Sequence, residues 1–151
     1  MKPHEKLKDF LEPYSPEIQE LTHELRTFIT ETIPEANELI WDNYNAVAIA
    51  YSKSKELKDA FCHISVYSNY VNFGFNRATE LSRHLVKLEG KGKLIRHFRV
   101  NDMNMFPKVE IKKMIYEAVG VSENRNNALI EKNTEGISIV KSISEKKRRP
   151  K

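Results

Sequence analysis

The chain has 151 residues, which is enough for one domain with a sizeable hydrophobic core. Hydrophobic residues make up 40% of it and charged residues 30%, a balance typical of soluble proteins. No apolar run is long enough to span a bilayer, and residues 1–10 lack the apolar core of a signal peptide, so we expect no membrane association. The one cysteine, Cys62, cannot form an internal disulfide, which indicates a reducing compartment and favours a cytoplasmic location.

Positive charge is concentrated at the C-terminus. The chain has 25 basic and 21 acidic residues, a net charge of +4. Residues 145–151 hold five bases and one acid, which is also a net +4, so residues 1–144 are formally neutral. Because phosphate contacts need clustered positive charge, we expect any nucleic acid binding to involve only this segment. The sequence predicts a domain over residues 7–120, followed by a polar, basic C-terminal tail over residues 121–151.

A long helix is predicted over residues 15–33. Ser15 is a favourable N-cap, and Pro16 suits the first helical position. Apolar residues recur with helical spacing along one face. Beside that face, a stripe about 60° wide carries four acidic side chains, those of Glu17, Glu20, Glu24 and Glu31. The stripe is either a solvated polar flank or a surface that binds cations or a basic partner.

Short strands are predicted over residues 38–43, 46–51, 61–66, 70–75 and 94–100. Apolar and polar residues alternate along them, which indicates a sheet with one covered face and one wetter face. The wetter face is expected to carry His63, Ser65, Asn72, His97 and Arg99. Cys62 falls on the apolar face, where a small core side chain is the expected role. Arg96 interrupts the apolar face of the last strand, and no sequence pattern accounts for it.

The rest of the chain is predicted as helix, turn and tail. A short helix within residues 76–89 and a plain turn at 89–93 precede a second long helix over 107–120, which Gly120 would end. Residues 137–143 are partly apolar. They could form a short strand, a docking segment or no regular structure, and the sequence does not decide between these interpretations. The predicted fold is α+β: an antiparallel sheet of about five strands, with the N- and C-terminal helices packed on one face.

No catalytic constellation is visible in the sequence. The five histidines show no zinc-type spacing with Cys62, and no serine lies in a G-x-S-x-G elbow. His63 and His97 are expected on the same wetter sheet face. They are either two ordinary surface residues or a metal-binding pair. We therefore predict a binding protein rather than an enzyme.

Several features taken together resemble the YdhG-like family of domains of unknown function. They are the first long helix, the Ile33-Pro34-Glu35-Ala36 step, the strands, and the Leu88-Glu89-Gly90-Lys91-Gly92-Lys93 turn before a strand. The resemblance covers roughly residues 7–120, and it implies a helix–sheet–helix layout similar to frataxin. One member type is described as a frataxin-like iron chaperone. By position along the fold, the resemblance implies a weak Fe²⁺ surface formed by Glu20, Glu24, Glu31, Glu35, Glu38 and Asp42.

Three functions follow from these observations. The first is non-enzymatic iron binding and delivery, with iron-utilising proteins as partners. The second is a small-molecule or protein-binding module that uses the wetter sheet face, with Trp41, Tyr70 and Arg99 as candidate contacts. The third is a nucleic acid adaptor that uses the basic tail and the same sheet face, and the neutral domain counts against it.

Overall fold

A computed structural model of the chain describes residues 1–150. It contains six β-strands and three α-helices. The strands are β1 (Asn37–Asp42), β2 (Val47–Ser52), β3 (Ala60–Val66), β4 (Val71–Phe75), β5 (Arg96–Val100) and β6 (Ser138–Ile143). The helices are α1 (Leu7–Leu11), α2 (Pro16–Thr32) and α3 (Lys108–Arg125). Single 3₁₀ turns lie at Leu57–Asp59, Ala78–Glu80 and Asn127–Leu129.

The strands form one sheet in the order β5-β4-β3-β2-β1-β6. Neighbours among β1 to β5 are antiparallel, whereas β6 lies parallel to β1. The predicted α+β class is confirmed, but the expectation of a purely antiparallel sheet of about five strands is wrong. The sixth strand comes from residues 137–143, whose apolar content is low because the strand lies at an edge and is only half covered.

All three helices share a core with one face of the sheet. Ser15 caps α2 as predicted, accepting a hydrogen bond from the Ile18 N–H at 3.2 Å. Side chains of α2 and α3 pack against alternate residues of the central strands, and those alternate residues are fully buried. The centre of this core contains Leu25, Ile29, Ile49, Ile64, Phe73, Ile111 and Ile115. Cys62 lies in the same core, as expected, and burial raises the pKa of its thiol.

Two helix predictions differ from the structure. Helix α3 continues through Gly120 to Arg125, because the added turn packs on the domain: Ser122 is buried and its hydroxyl donates to the Asp59 carbonyl at 2.9 Å. The short helix expected within residues 76–89 is a single turn followed by loop. The loop is instead held by the Glu117 carboxylate of α3, which accepts hydrogen bonds from the Ser82 N–H at 2.7 Å and the Arg83 N–H at 3.2 Å.

Residues 121–151, which the sequence predicts as a polar, basic tail, contribute the end of α3 and the whole of β6. Beyond β6, the Ser144 N–H donates to the Asp42 carbonyl at 2.8 Å and the Arg148 N–H donates to the Tyr44 carbonyl at 2.7 Å. The segment after β6 therefore continues along the end of β1 and remains in contact with the folded domain.

Candidate functional site

Glu20, Glu24 and Glu31 are exposed and line one groove. The groove lies between α2 and α3 and has a volume of about 660 Å³. Its other wall carries three lysines, and its floor is apolar. The basic wall holds Lys108, Lys112 and Lys113, and the floor includes Phe28 and Met103. No ion pair joins the two walls within residues 1–150. The lysines lower the negative potential that the three acids would create alone.

Glu38, a predicted metal residue, lies in the core. Its side chain is fully buried and accepts four hydrogen bonds. Arg26 donates two of them at 2.6 and 2.7 Å, the Tyr51 hydroxyl a third at 2.7 Å, and the Ser138 hydroxyl a fourth at 2.6 Å. Burial, together with the charge of Glu38, raises the pKa of Tyr51 well above its usual value. Both carboxylate oxygens are thus engaged, and the cluster ties α2, β1, β2 and β6 together.

Asp42, also a predicted metal residue, binds the C-terminal segment. Its side chain is 1% exposed and forms ion pairs with Lys147 and Arg149. The Arg149 guanidinium also donates to the carbonyls of Asn43 and Tyr44 at 2.7 and 2.9 Å. We define Asp42, Lys147 and Arg149 as the C-terminal clamp.

The six predicted metal residues therefore do not form one surface. Three of them share the α2–α3 groove, and Glu38 and Asp42 are bound by cationic side chains. Glu35 is half-buried, and its backbone carbonyl accepts a hydrogen bond from Lys132. Within residues 1–150, no three or more His, Cys, Asp or Glu side chains are grouped so as to hold a metal ion. A role of these acids as cation ligands remains a prediction.

The other face of the sheet, which we call the open face, carries the polar side chains expected there. Cross-strand pairing aligns them in two rows, because directly paired residues point to the same side of a sheet. The first row is Trp41, Ala48, Ser65, Asn72 and Arg99, and the second is Leu39, Ala50, His63, Gly74 and His97. The helices pack against the alternate strand residues on the other face. Leu39 and Ala50 of the second row are themselves buried, with 0% and 3% of their surface exposed.

Small residues lie in the middle of the open face, between larger side chains at its two sides. Ala48, Ala50 and Gly74 lie between Trp41 on β1 and Arg99 on β5. The Arg99 guanidinium lies 3.8 Å above the centre of the Tyr70 ring, and Tyr70 stacks on Tyr67 at 4.9 Å. Arg99 is therefore held by a cation–π contact on a paired aromatic support.

His63 is fixed in place on this face. Its Nδ1 atom lies 2.9 Å from the Asn76 amide oxygen, which can only accept, so Nδ1 carries the hydrogen. A Cβ atom on Gly74 would lie 2.6 Å from His63 Nε2, so the imidazole occupies the space over this glycine. Burial lowers the pKa of His63, the Asn76 hydrogen bond opposes that shift, and the nearby His97 adds to it. The imidazole is therefore held in its neutral form at neutral pH, with the Nε2 lone pair free.

The loop before β5 borders the same row. Glu89 pairs with His97 across an antiparallel bridge, with backbone N···O distances of 2.7 and 2.9 Å. Arg96 points to the other side of β5 and donates to the carbonyls of Gly92 and Ile95, which explains the basic residue that interrupts the apolar face. Gly90 has φ of 139°, a conformation that favours glycine. The Gly-Lys turn thus positions the start of β5.

Sequence reasoning placed His63 and His97 on one face but missed their alignment across Gly74. The register between β3, β4 and β5 produces that alignment, and strand lengths alone do not define a register. The available signal was the isolated Gly74 within a strand, which often marks a close approach by another group.

Comparisons with protein-family models, with curated proteins and with solved structures find no match. Among residues 1–150, no helix combines the length and apolar character needed to cross a bilayer.

Proposed function

We propose that this protein is a small, non-enzymatic binding protein whose ligand site is the open face of the sheet. One observation carries the proposal: the sheet face opposite the helical core presents fixed polar and aromatic side chains around the half-exposed Ala48. Among the small residues of this face, the half-exposed Ala48 leaves room for a ligand close to the backbone, beside Trp41 and Ser65. Around it, Trp41 supplies an apolar contact, His63 a hydrogen-bond acceptor and Arg99 a positive charge.

Preorganisation supports a binding role for this face. The side chains of His63 and Arg99 are already oriented, by Asn76 and Tyr70 respectively, before any ligand arrives. A ligand therefore loses less free energy to ordering these side chains than it would at a flexible surface. The one thiol of the chain, Cys62, points into the core on the opposite side of the sheet, so it supplies no nucleophile here.

Weak iron binding in the α2–α3 groove is a second candidate. The observation that favours it is the exposure of Glu20, Glu24 and Glu31 along one groove without ion pairs. The resemblance to the YdhG-like family, which implies a helix–sheet–helix layout similar to frataxin, points to the same function. Because three lysines face these acids and three predicted partners lie elsewhere, we expect such binding to be weaker than at an all-acidic surface.

A panel of probes distinguishes the two candidates. The full chain is mixed in turn with nucleotides, amino acids, organic acids and Fe²⁺, and amide shifts are followed by NMR. Two variants are compared, W41A/R99A for the open face and E20Q/E24Q/E31Q for the groove. A probe whose shifts map to β2–β5 and vanish only in W41A/R99A supports the open face. If Fe²⁺ is the only binding probe and the groove variant alone loses it, the open-face proposal is wrong.

A further inference from the structure

We infer that His63 and His97 form a two-histidine site for a divalent transition-metal ion of the Zn²⁺, Ni²⁺ and Cu²⁺ class. The inference rests on the proposed function, because it names the ligand class of the open face. It concerns residues distinct from the six acids of the predicted iron surface.

The sheet register brings the two imidazoles to one place. His63 on β3 pairs with Gly74 on β4, and Gly74 pairs with His97 on β5. Neighbouring strands are about 4.8 Å apart, so the two histidine backbones are separated by roughly two such steps. No side chain stands between them, because the intervening residue is glycine. The His63 ring already leans over that glycine, towards β5.

Hydrogen bonding leaves the correct atom available for a metal. Metal-binding histidines usually donate one ring N–H to a fixed acceptor, which orients the ring and directs the other nitrogen at the metal. His63 has this arrangement: Nδ1 donates to Asn76 at 2.9 Å, and Nε2 lies over Gly74. His97 is half-buried, and its ring has no hydrogen-bond partner within residues 1–150, so both of its nitrogens are available.

The same geometry selects the ligand. A fixed Nε2 lone pair attracts a metal ion or a hydrogen-bond donor and repels an anion, and imidazole ligands suit zinc, copper and nickel. Glu89 pairs with His97 across an isolated backbone bridge, so its side chain lies on the same side of the sheet as His97 and is a candidate for a third ligand. No third ligand is in position, and the positively charged Arg99 is the second residue beyond His97 on the same face. We therefore expect micromolar rather than tighter metal binding.

The test uses the purified full chain and Zn²⁺ or Ni²⁺ alone, followed by calorimetry and by NMR of the imidazole resonances. We expect one ion per chain and an affinity at least tenfold lower in H63Q and in H97Q. N76A should weaken binding by about tenfold, since loss of a group that orients a metal-binding histidine typically costs that much or more. H84Q is the matched control, because His84 is an exposed histidine in the loop before β5, and its affinity should equal wild type.

Thermal melts establish that each variant is folded. Unchanged metal affinity in folded H63Q and H97Q would overturn the inference, as would metal-induced shifts confined to the α2–α3 groove. An organic probe that still shifts open-face amides when no metal binds would leave the proposed function intact while removing the metal site. The opposite outcome is also distinguishable: if no organic probe shifts the open-face amides but Zn²⁺ still shifts both imidazole resonances, the metal site stands and organic ligand binding at this face is wrong.

Discussion

The Asp42 carboxylate is bound by the Arg149 guanidinium, 107 residues later in the sequence, at a position where only 1% of the Asp42 side chain is exposed. Lys147 pairs with the other carboxylate oxygen. The basic charges that raise the net charge of the chain to +4 are therefore partly engaged inside the molecule.

Removal of residues 145–151 should destabilise the domain. The sequence alone predicts that this segment can be removed without loss of the fold, because it carries no large apolar residue. The structure changes the expected magnitude, since truncation leaves the buried Asp42 carboxylate without its cations. Breaking a buried ion pair by removing one side typically costs about 3–5 kcal/mol. Urea unfolding at fixed pH measures the loss.

A second substitution separates this effect from a general loss of contacts. In the truncated chain, D42N replaces the buried charge with a neutral amide and should restore part of the lost stability. K146A, at an exposed site outside the clamp, should be close to neutral in the full chain. An unchanged urea midpoint after truncation, or a truncated chain that D42N leaves no more stable, would show that the clamp does not stabilise the fold.

The Arg26–Glu38 pair should be sensitive to loss of either partner. R26M leaves the Glu38 carboxylate buried with only two hydroxyl donors, so we expect a loss of roughly 3–5 kcal/mol in the free energy of unfolding. Y51F removes one hydrogen bond to a charged group and should cost about 1.5–3 kcal/mol. Chemical denaturation checks both values. A Y51F loss as large as that of R26M would contradict the assignment of the ion pair as the main interaction.

Gly74 should not tolerate a side chain. A Cβ atom there would lie 2.6 Å from His63 Nε2 and 2.8 Å from the Arg96 carbonyl oxygen. We expect G74A to destabilise the protein by about 1–3 kcal/mol, as overpacking usually does. G120A is the matched control: nothing lies within 4 Å of a Cβ at that position, and alanine is favoured over glycine in a helix, so it should stabilise by about 0.5–1 kcal/mol. Equal and small effects of the two substitutions would contradict the close approach at Gly74.

The free energy of unfolding should fall in mildly acidic solution. It is measured with a chelator present, so that no metal ion binds the histidines. Burial lowers the pKa of His63 in the folded state, and the nearby His97 lowers it further. The hydrogen bond to Asn76 acts in the opposite direction but does not cancel the shift. Between that lowered value and about 6.5, the unfolded chain binds more protons, so the free energy of unfolding decreases as the pH decreases. H63Q should reduce this decrease. Burial also lowers the pKa of His23, so H63Q/H23Q should reduce it further. The same pH dependence in wild type and H63Q would contradict the assignment.

Local patterns predicted the layers of the fold well. Alternation identified β1 to β5 because one face of the sheet is covered and the other is wetter, and the Ser15-Pro16 start of α2 is a local signal. Edge strand β6 was left open because Ser138, Lys141 and Ser142 dilute its apolar pattern, and its partner lies about a hundred residues earlier. Arg96 could not be explained because its acceptors belong to a loop conformation that only the folded chain defines.

The acidic residues show where local reasoning fails. Glu38 and Asp42 alternate with Ile40 on the core face of β1, which was a readable sign that they point inward. Their partners, Arg26 and Arg149, lie 12 and 107 residues away, and no sequence period connects them. Glu20, Glu24 and Glu31 line one groove, whereas Glu17 of the same predicted stripe lies outside it. Helical spacing is local, but the facing lysines of α3 come from a distant segment.

The parallel pairing of β6 with β1 also has a consequence for biosynthesis. Strand β1 is made early, and its outer backbone edge has no partner until residues 138–143 have left the ribosome. A nascent chain that already carries β1 to β5 and both long helices therefore still presents an unpaired strand edge, which is a template for pairing with other chains. The sheet is complete only when residues 138–143 are available, so a premature stop shortly before residue 138 should yield an aggregation-prone product rather than a slightly shorter domain.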